Sequence, residues 1–71
     1  MTVLDAINAV VGYLSRQPIV FSLHRAWEET EGEAHFRVAV HQHQPENTLR
    51  TFDVAPADDV ADCWNVVEVQ A

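Results

Sequence analysis

Residues 33–44, EAHFRVAVHQHQ, alternate between apolar and polar side chains. Phe36, Val38 and Val40 fall on one parity. The other parity carries His35, Arg37, Ala39, His41 and His43. An alternation of period two is typical of a β-strand with one side toward a core and the other toward water. We therefore predict a half-buried strand whose outer side carries three of the four histidines.

A strand is also predicted before this one. It covers residues 19–28, and its apolar parity consists of Ile19, Phe21, Leu23 and Trp27. The acidic stretch EETEGE follows, and a turn centred on residues 31–32 sets Trp27 opposite Phe36. The same register sets Leu23 opposite Val40. Because it pairs apolar with apolar residues, this register predicts an antiparallel hairpin.

Residues 48–54 form the third predicted strand, with Phe52 and Val54 as its core residues. A two-residue turn before it would set Phe52 opposite Ala39, on the polar side. A three-residue loop, Pro45-Glu46-Asn47, sets Phe52 opposite Val40, apolar against apolar. Proline suits the opening of such a loop and asparagine its left-handed closing position, so we predict the longer loop.

An N-terminal helix is predicted over residues 2–16. Its apolar stripe consists of Leu4, Ile7, Val11 and Leu14, at helical spacing, and Val3 and Val10 widen it. Thr2 can cap the first turn, in which the Asp5 carboxylate complements the exposed N–H groups. Arg16 falls in the last predicted turn, and Pro18 discourages continuation of the helix.

The C-terminal stretch after Pro56, ADDVADCWNVVEVQA, allows two interpretations. Its helical stripe consists of Val60, Cys63, Trp64 and Val67, with Asp58 and Asp59 near the start, where the helix dipole favours acids. The alternative is a strand over residues 64–70, because Val66, Val67 and Val69 are β-branched.

The predicted fold is a single α+β domain over residues 1–71. It is a two-layer sandwich: a three-stranded antiparallel meander with an N-terminal and a C-terminal helix on one face, in the order α-β-β-β-α. The alternative order is α-β-β-β-β, with a C-terminal strand. The first order is similar to that of double-stranded RNA-binding domains. However, the lysine-rich helix start that grips phosphate in that family corresponds here to residues 56–59, PADD, of opposite charge.

The charge balance argues against several classes of partner. The formal net charge is −7, from 11 acidic residues against four basic ones, all arginines at scattered positions. Direct contact with nucleic acid needs clustered basic residues, so we expect none, and no attraction to an anionic membrane. The lone Cys63 and the lack of a signal-like or membrane-spanning segment predict a cytoplasmic protein. Seventy-one residues leave little stability to spare, which favours a homodimer or a complex with a partner.

We therefore predict a non-enzymatic, acidic interaction module: a regulator, inhibitor or accessory subunit that docks on a basic protein surface. The residues predicted to bind this partner are Glu28, Glu29, Glu31, Glu33, Asp58, Asp59 and Asp62. No cofactor is predicted.

The alternative function is a metal- or small-ligand-binding domain that uses histidines on the exposed side of the sheet. His41 and His43 are two residues apart on one strand, so both point the same way about 7 Å apart. Such pairs serve in zinc sites together with a third ligand. His24 or Asp53 would supply it, each as a diagonal neighbour of His41 in the predicted registers.

Catalysis is not predicted. Cys63 faces the core in the predicted fold and cannot meet a histidine on the outer side of the sheet. Ser22 lies beside His41, but a two-layer domain of this size offers no evident pocket or oxyanion hole.

Overall fold

The computed structural model describes residues 2–29, 35–57 and 64–69. Within them, the elements are α1 (Val3–Leu14), β1 (Val20–Glu29), β2 (His35–Gln44), β3 (Thr48–Pro56) and β4 (Trp64–Val69). The strands form one antiparallel sheet in the order β1-β2-β3-β4. The α+β class and the alternative order α-β-β-β-β are confirmed, and the predicted C-terminal helix is wrong.

The C-terminal segment forms a strand because its valines suit a sheet better than a helix. Val66, Val67 and Val69 are stiff at χ1, which favours the extended backbone. In the strand, successive side chains point to opposite sides of the sheet. Val66 packs against the core, whereas Val67 lies on the opposite side and is exposed. Val60 and Cys63, on which the helical interpretation partly depended, lie outside the described residues.

The start of α1 is as predicted, but its end is not. The Asp5 N–H donates to Thr2 Oγ1 (3.3 Å), and the Thr2 N–H donates to Asp5 Oδ2 (2.9 Å). These reciprocal bonds form a capping box. They hold the pKa of the Asp5 carboxyl below its usual range. The helix ends at Leu14 with Ser15 as its cap, so Arg16 lies beyond the last turn.

The buried face of α1 is rotated from the predicted stripe. Ala6, Val10 and Leu14 are fully buried, whereas Leu4 is 62% exposed and Val11 is 41% exposed. Both stripes have helical spacing, and the observed one places a small residue, Ala6, against the sheet. The prediction included Val10 and Leu14 and missed Ala6, because it counted only the large apolar side chains.

The core lies between α1 and one side of the sheet. It consists of Ala6, Val10, Leu14, Phe36, Val38, Val40, Phe52 and Val54. Every core residue predicted for β2 and β3 is among them, so the alternation identified the buried side of both strands.

One extra residue in β1 changes the pairing with β2. Leu23 pairs with Val40 as predicted, but Arg25 pairs with Ala39, so the register shifts at His24. Beyond the shift Trp27 pairs with Arg37, and the predicted Trp27–Phe36 pair is wrong. The shift moves Arg25 and Trp27 to the side of the sheet opposite α1, where the Arg25 guanidinium lies 4.9 Å from the Trp27 ring.

The β2–β3 register differs from the prediction by two residues. Phe52 pairs with Val38 rather than Val40, and Val54 pairs with Phe36. A shift of two keeps every side chain on its face, so the pattern of apolar residues does not distinguish the two registers. The strands end and begin on either side of residues 45–47, as predicted, and the Gln44–Pro45 peptide bond is cis.

Candidate functional site

The side of the sheet opposite α1 is called the open face here. Directly paired residues of antiparallel strands lie on the same side, so the registers define its rungs. From β1 toward β4 these are Trp27–Arg37–Asp53–Val67, Arg25–Ala39–Thr51–Val69 and Ser22–His41–Leu49. No helix or strand of the described residues packs on this face, and Leu49 and Val67 are 60% and 61% exposed.

His41 and His43 lie side by side at one end of the open face. Their ring centroids are 4.3 Å apart. His41 Nε2 donates a hydrogen bond to Oδ1 of Asn47, and His43 Nε2 shares a hydrogen bond of 2.9 Å with Ser22 Oγ. The predicted rung of Ser22 and His41 is confirmed, although the hydroxyl contacts the other histidine. A metal bound through either Nε2 would have to displace these bonds.

The structure does not bring the other predicted metal ligands to this pair. Asp53 lies two rungs from His41, on the rung of Arg37, because the β2–β3 register differs from the predicted one. His24 is the extra residue of β1 and is exposed. In the described part of the chain, no group of three or more His, Cys, Asp or Glu side chains is arranged to hold a metal ion. The metal site stays a prediction that depends on His41 and His43.

Asp53 belongs to a charged cluster on the open face. Its Oδ1 atom lies 3.4 Å from His35 Nε2 and 3.9 Å from Arg37 Nε. Arg37 Nε and Asp53 Oδ1 are buried atoms with no hydrogen-bond partner among the described residues, although each side chain as a whole is 35% exposed. The predicted register placed Asp53 beside Ala39, which is why sequence reasoning missed this cluster.

A polar network that the sequence analysis missed closes one end of the core on the helix side. Arg50 donates to both carboxylate oxygens of Glu68, at 2.9 and 2.7 Å. Its Nη1 atom also donates to Oε1 of Gln42 (3.0 Å) and of Gln17 (3.3 Å). The hydrogen bonds from Arg50 hold the pKa of the Glu68 carboxyl below its usual range, and those to Glu68 raise the pKa of Arg50.

The alternative prediction, a C-terminal strand over residues 64–70, could have indicated this network. In a strand, Glu68 shares the parity of Val66, which faces the core. Arg50 shares the parity of Phe52 on the adjacent strand. Opposite charges on the inward parity of neighbouring strands predict a pair, because an inward charge needs a partner. The helical interpretation hid it by placing Glu68 toward water.

Two of the residues predicted to bind a basic partner, Glu28 and Glu29, lie at one end of the sheet. At this end Glu29 pairs with His35 and Pro56 pairs with Trp64. Glu28 is exposed and Glu29 is half-buried. The other predicted partner-binding residues, Glu31, Glu33, Asp58, Asp59 and Asp62, lie outside the described residues. Because their segments connect strands at this end, we call it the acidic end.

In comparisons with known proteins, the chain matches no family model, no curated protein and no solved structure. Within the described ranges, no helix has both the length and the apolar character needed to cross a bilayer.

Proposed function

We propose that this protein is a non-enzymatic cytoplasmic interaction module that docks its acidic end on the basic surface of a protein partner. The observation that carries the proposal is the topology of the sheet. It places the ends of β1 and β2 beside the ends of β3 and β4, so the two acid-rich segments of the chain connect strands at the same end.

The acidic residues at this end outnumber the basic ones, which are Arg25 and Arg37 on the adjoining parts of β1 and β2. Residues 28–33 and 58–62 contain seven acidic residues and no arginine or lysine. Arg50 is engaged by Glu68, and it lies toward the other end of the sheet with Gln17. An excess of negative charge of this kind steers a cationic partner and accelerates its association.

The test is binding to a partner captured from the native host with the tagged protein, followed by quantitative titration. We expect Glu28→Gln to slow association and to weaken binding. Glu46→Gln is the matched control, because both glutamates are exposed and Glu46 lies in the β2–β3 loop at the opposite end of the sheet. The difference between the two variants should shrink in high salt, which screens exposed charges. Equal effects of both variants, or binding that is independent of salt, would contradict charge-driven docking.

The second candidate function is binding of a divalent metal or small ligand at His41 and His43. The observation that favours it is the 4.3 Å approach of the two rings. Zinc titration should show a specific site that both His41→Ala and His43→Ala abolish. His35→Ala is the control, since His35 contacts Asp53 at the other end of β2. Zinc uptake at the level of this control in all variants would end the metal hypothesis.

A further inference from the structure

The two edge strands of the sheet differ in how well they are protected against pairing with another chain. Open edges present unpaired backbone groups, and proteins blunt them with bulges and charged side chains. The β1 edge has both devices. Its register shifts twice, between Val20 and Phe21 and between Leu23 and Arg25. It also carries Arg25 and two glutamates within ten residues.

The β4 edge has neither device. Its register with β3 is continuous over six pairs, from Thr51–Val69 to Pro56–Trp64. The one charged residue in β4 is Glu68, and Arg50 of the same chain holds its carboxylate on the helix side. The remaining side chains of this strand are uncharged, and three of them are valines.

The two flanks of β4 are open as well. On the helix side, an open groove of about 390 Å³ lies between α1 and β4 and is lined by Ala9, Gly12, Tyr13, Arg16, Trp64 and Val66. On the open face, Val67 is 61% exposed. No described strand pairs with the outer side of β4.

We infer that two copies of this chain associate through β4, antiparallel about a twofold axis at Val67, and so join their sheets into one. In this register Val67 lies opposite its own copy, and Asn65 lies opposite Val69. Backbone hydrogen bonds supply affinity along the edge, and the facing valines bury apolar surface. This inference concerns a different surface from the acidic end and goes beyond the proposed function.

The β4 edge is complementary to its own copy, because the antiparallel register sets Val67 against Val67, and charge favours this arrangement over the parallel one. An antiparallel β4–β4 pair places the acidic ends of the two chains at opposite ends of the joined sheet. At a net charge of −7 for each chain, this arrangement separates the strongest repulsion. A parallel pairing would set the acidic ends side by side.

Sedimentation equilibrium over a range of protein concentrations tests the interface. The wild-type chain should form a dimer. Val67→Lys should raise the dimer dissociation constant at least about tenfold, because it sets like charges directly opposite each other. Val67→Glu should do the same, and an equimolar mixture of the two variants should recover the dimer as a heterodimer.

Two controls locate the contact. Leu49→Lys changes a residue of equal exposure on the open face of the inner strand β3, and Leu23→Lys changes the other edge, where Leu23 is 51% exposed. Both should leave the dimer intact, and circular dichroism should show that every variant is folded. A wild-type monomer even at about 1 mM would overturn the inference. Equal weakening by either control, or no recovery in the mixture, would overturn it too.

Discussion

Each side of the sheet holds an arginine beside a carboxylate, and the two pairs are built differently. On the helix side, Arg50 donates hydrogen bonds to both carboxylate oxygens of Glu68, and its Nη1 atom donates to Gln42 and Gln17. On the open face, Arg37 and Asp53 approach no closer than 3.9 Å, and the two nearest atoms make no hydrogen bond to a described residue.

The difference shows what makes an ion pair stabilising. Arg50 is 17% exposed, so its charge is largely removed from water and is stabilised by four hydrogen bonds in return. A bidentate pair of this kind has a fixed geometry and strong, charge-assisted bonds. Arg37 is twice as exposed as Arg50, at 35%, and its pair with Asp53 lacks that geometry and resembles surface pairs that contribute little.

The largest expected effect comes from breaking the helix-side pair. We expect Arg50→Met to lower the free energy of unfolding by about 2 kcal/mol, because it leaves the partly buried Glu68 without its partner. Urea denaturation at neutral pH measures this loss. Arg37→Met is the matched control and should cost less than about 1 kcal/mol, since Asp53 keeps His35. Equal losses would contradict the comparison.

Double-mutant cycles sharpen the same contrast. The coupling between Arg50→Met and Glu68→Gln should be roughly 1–2 kcal/mol, whereas that between Arg37→Met and Asp53→Asn should be below about 0.5 kcal/mol. The cycle separates the interaction free energy of the two side chains from the contribution that each makes through packing. A larger coupling between Arg37 and Asp53 would show that they interact more strongly than their separation of 3.9 Å implies.

Acid should narrow the difference in the free energy of unfolding between wild type and Arg50→Met. The pKa of Glu68 is lower in the folded chain than in the unfolded chain, where it is about 4.3. Its contribution to stability is therefore present above that value and is lost as the pH falls through the folded pKa. Denaturation at pH 7 and pH 3 measures the gap. A gap that is unchanged or wider at pH 3 would show that the Glu68 charge is not what Arg50 stabilises.

Salt should produce the smallest effect. In about 1 M salt the Debye length falls to about 3 Å, which screens the exposed pair more than the covered one. The weak coupling of Arg37 and Asp53 should then vanish, while most of the Arg50–Glu68 coupling persists. Repeating both cycles in high salt is the measurement, and an equal proportional loss in the two pairs would refute the difference in screening.

Sequence reasoning predicted faces better than registers. The alternation through Phe36, Val38 and Val40 identified the buried side of β2, because parity alone decides it. The β2–β3 register was wrong by two residues, since that shift leaves every apolar residue on the same side. The signal of the register shift at His24 was Arg25 on the apolar parity. The apolar Trp27 outweighed it, so Trp27 was assigned to the wrong side.

The prediction of the candidate sites had the same limit, because parity decides the face of a residue but not its register. His41 and His43 could be brought together from sequence because two residues on one strand point the same way. Asp53 could not be placed, since its neighbours depend on register. Arg50 and Glu68 could be paired only after the C-terminal segment was known to be a strand, because a helical stripe through Val60, Cys63, Trp64 and Val67 competed with the β-branched valines.

The register shift at His24 lets one strand present two opposite parities to the same core. Phe21 packs against the core before the shift and Ala26 after it, so their positions differ by an odd number of residues. Replacing the exposed His24 by another side chain would leave this arrangement in place. Deleting it would make the separation of Phe21 and Ala26 even, so an unbroken strand would keep both on the core side and Arg25 and Trp27 on the opposite side. Strand β1 is thus a segment in which residue 24 can be substituted or removed without turning any other side chain to the other side of the sheet.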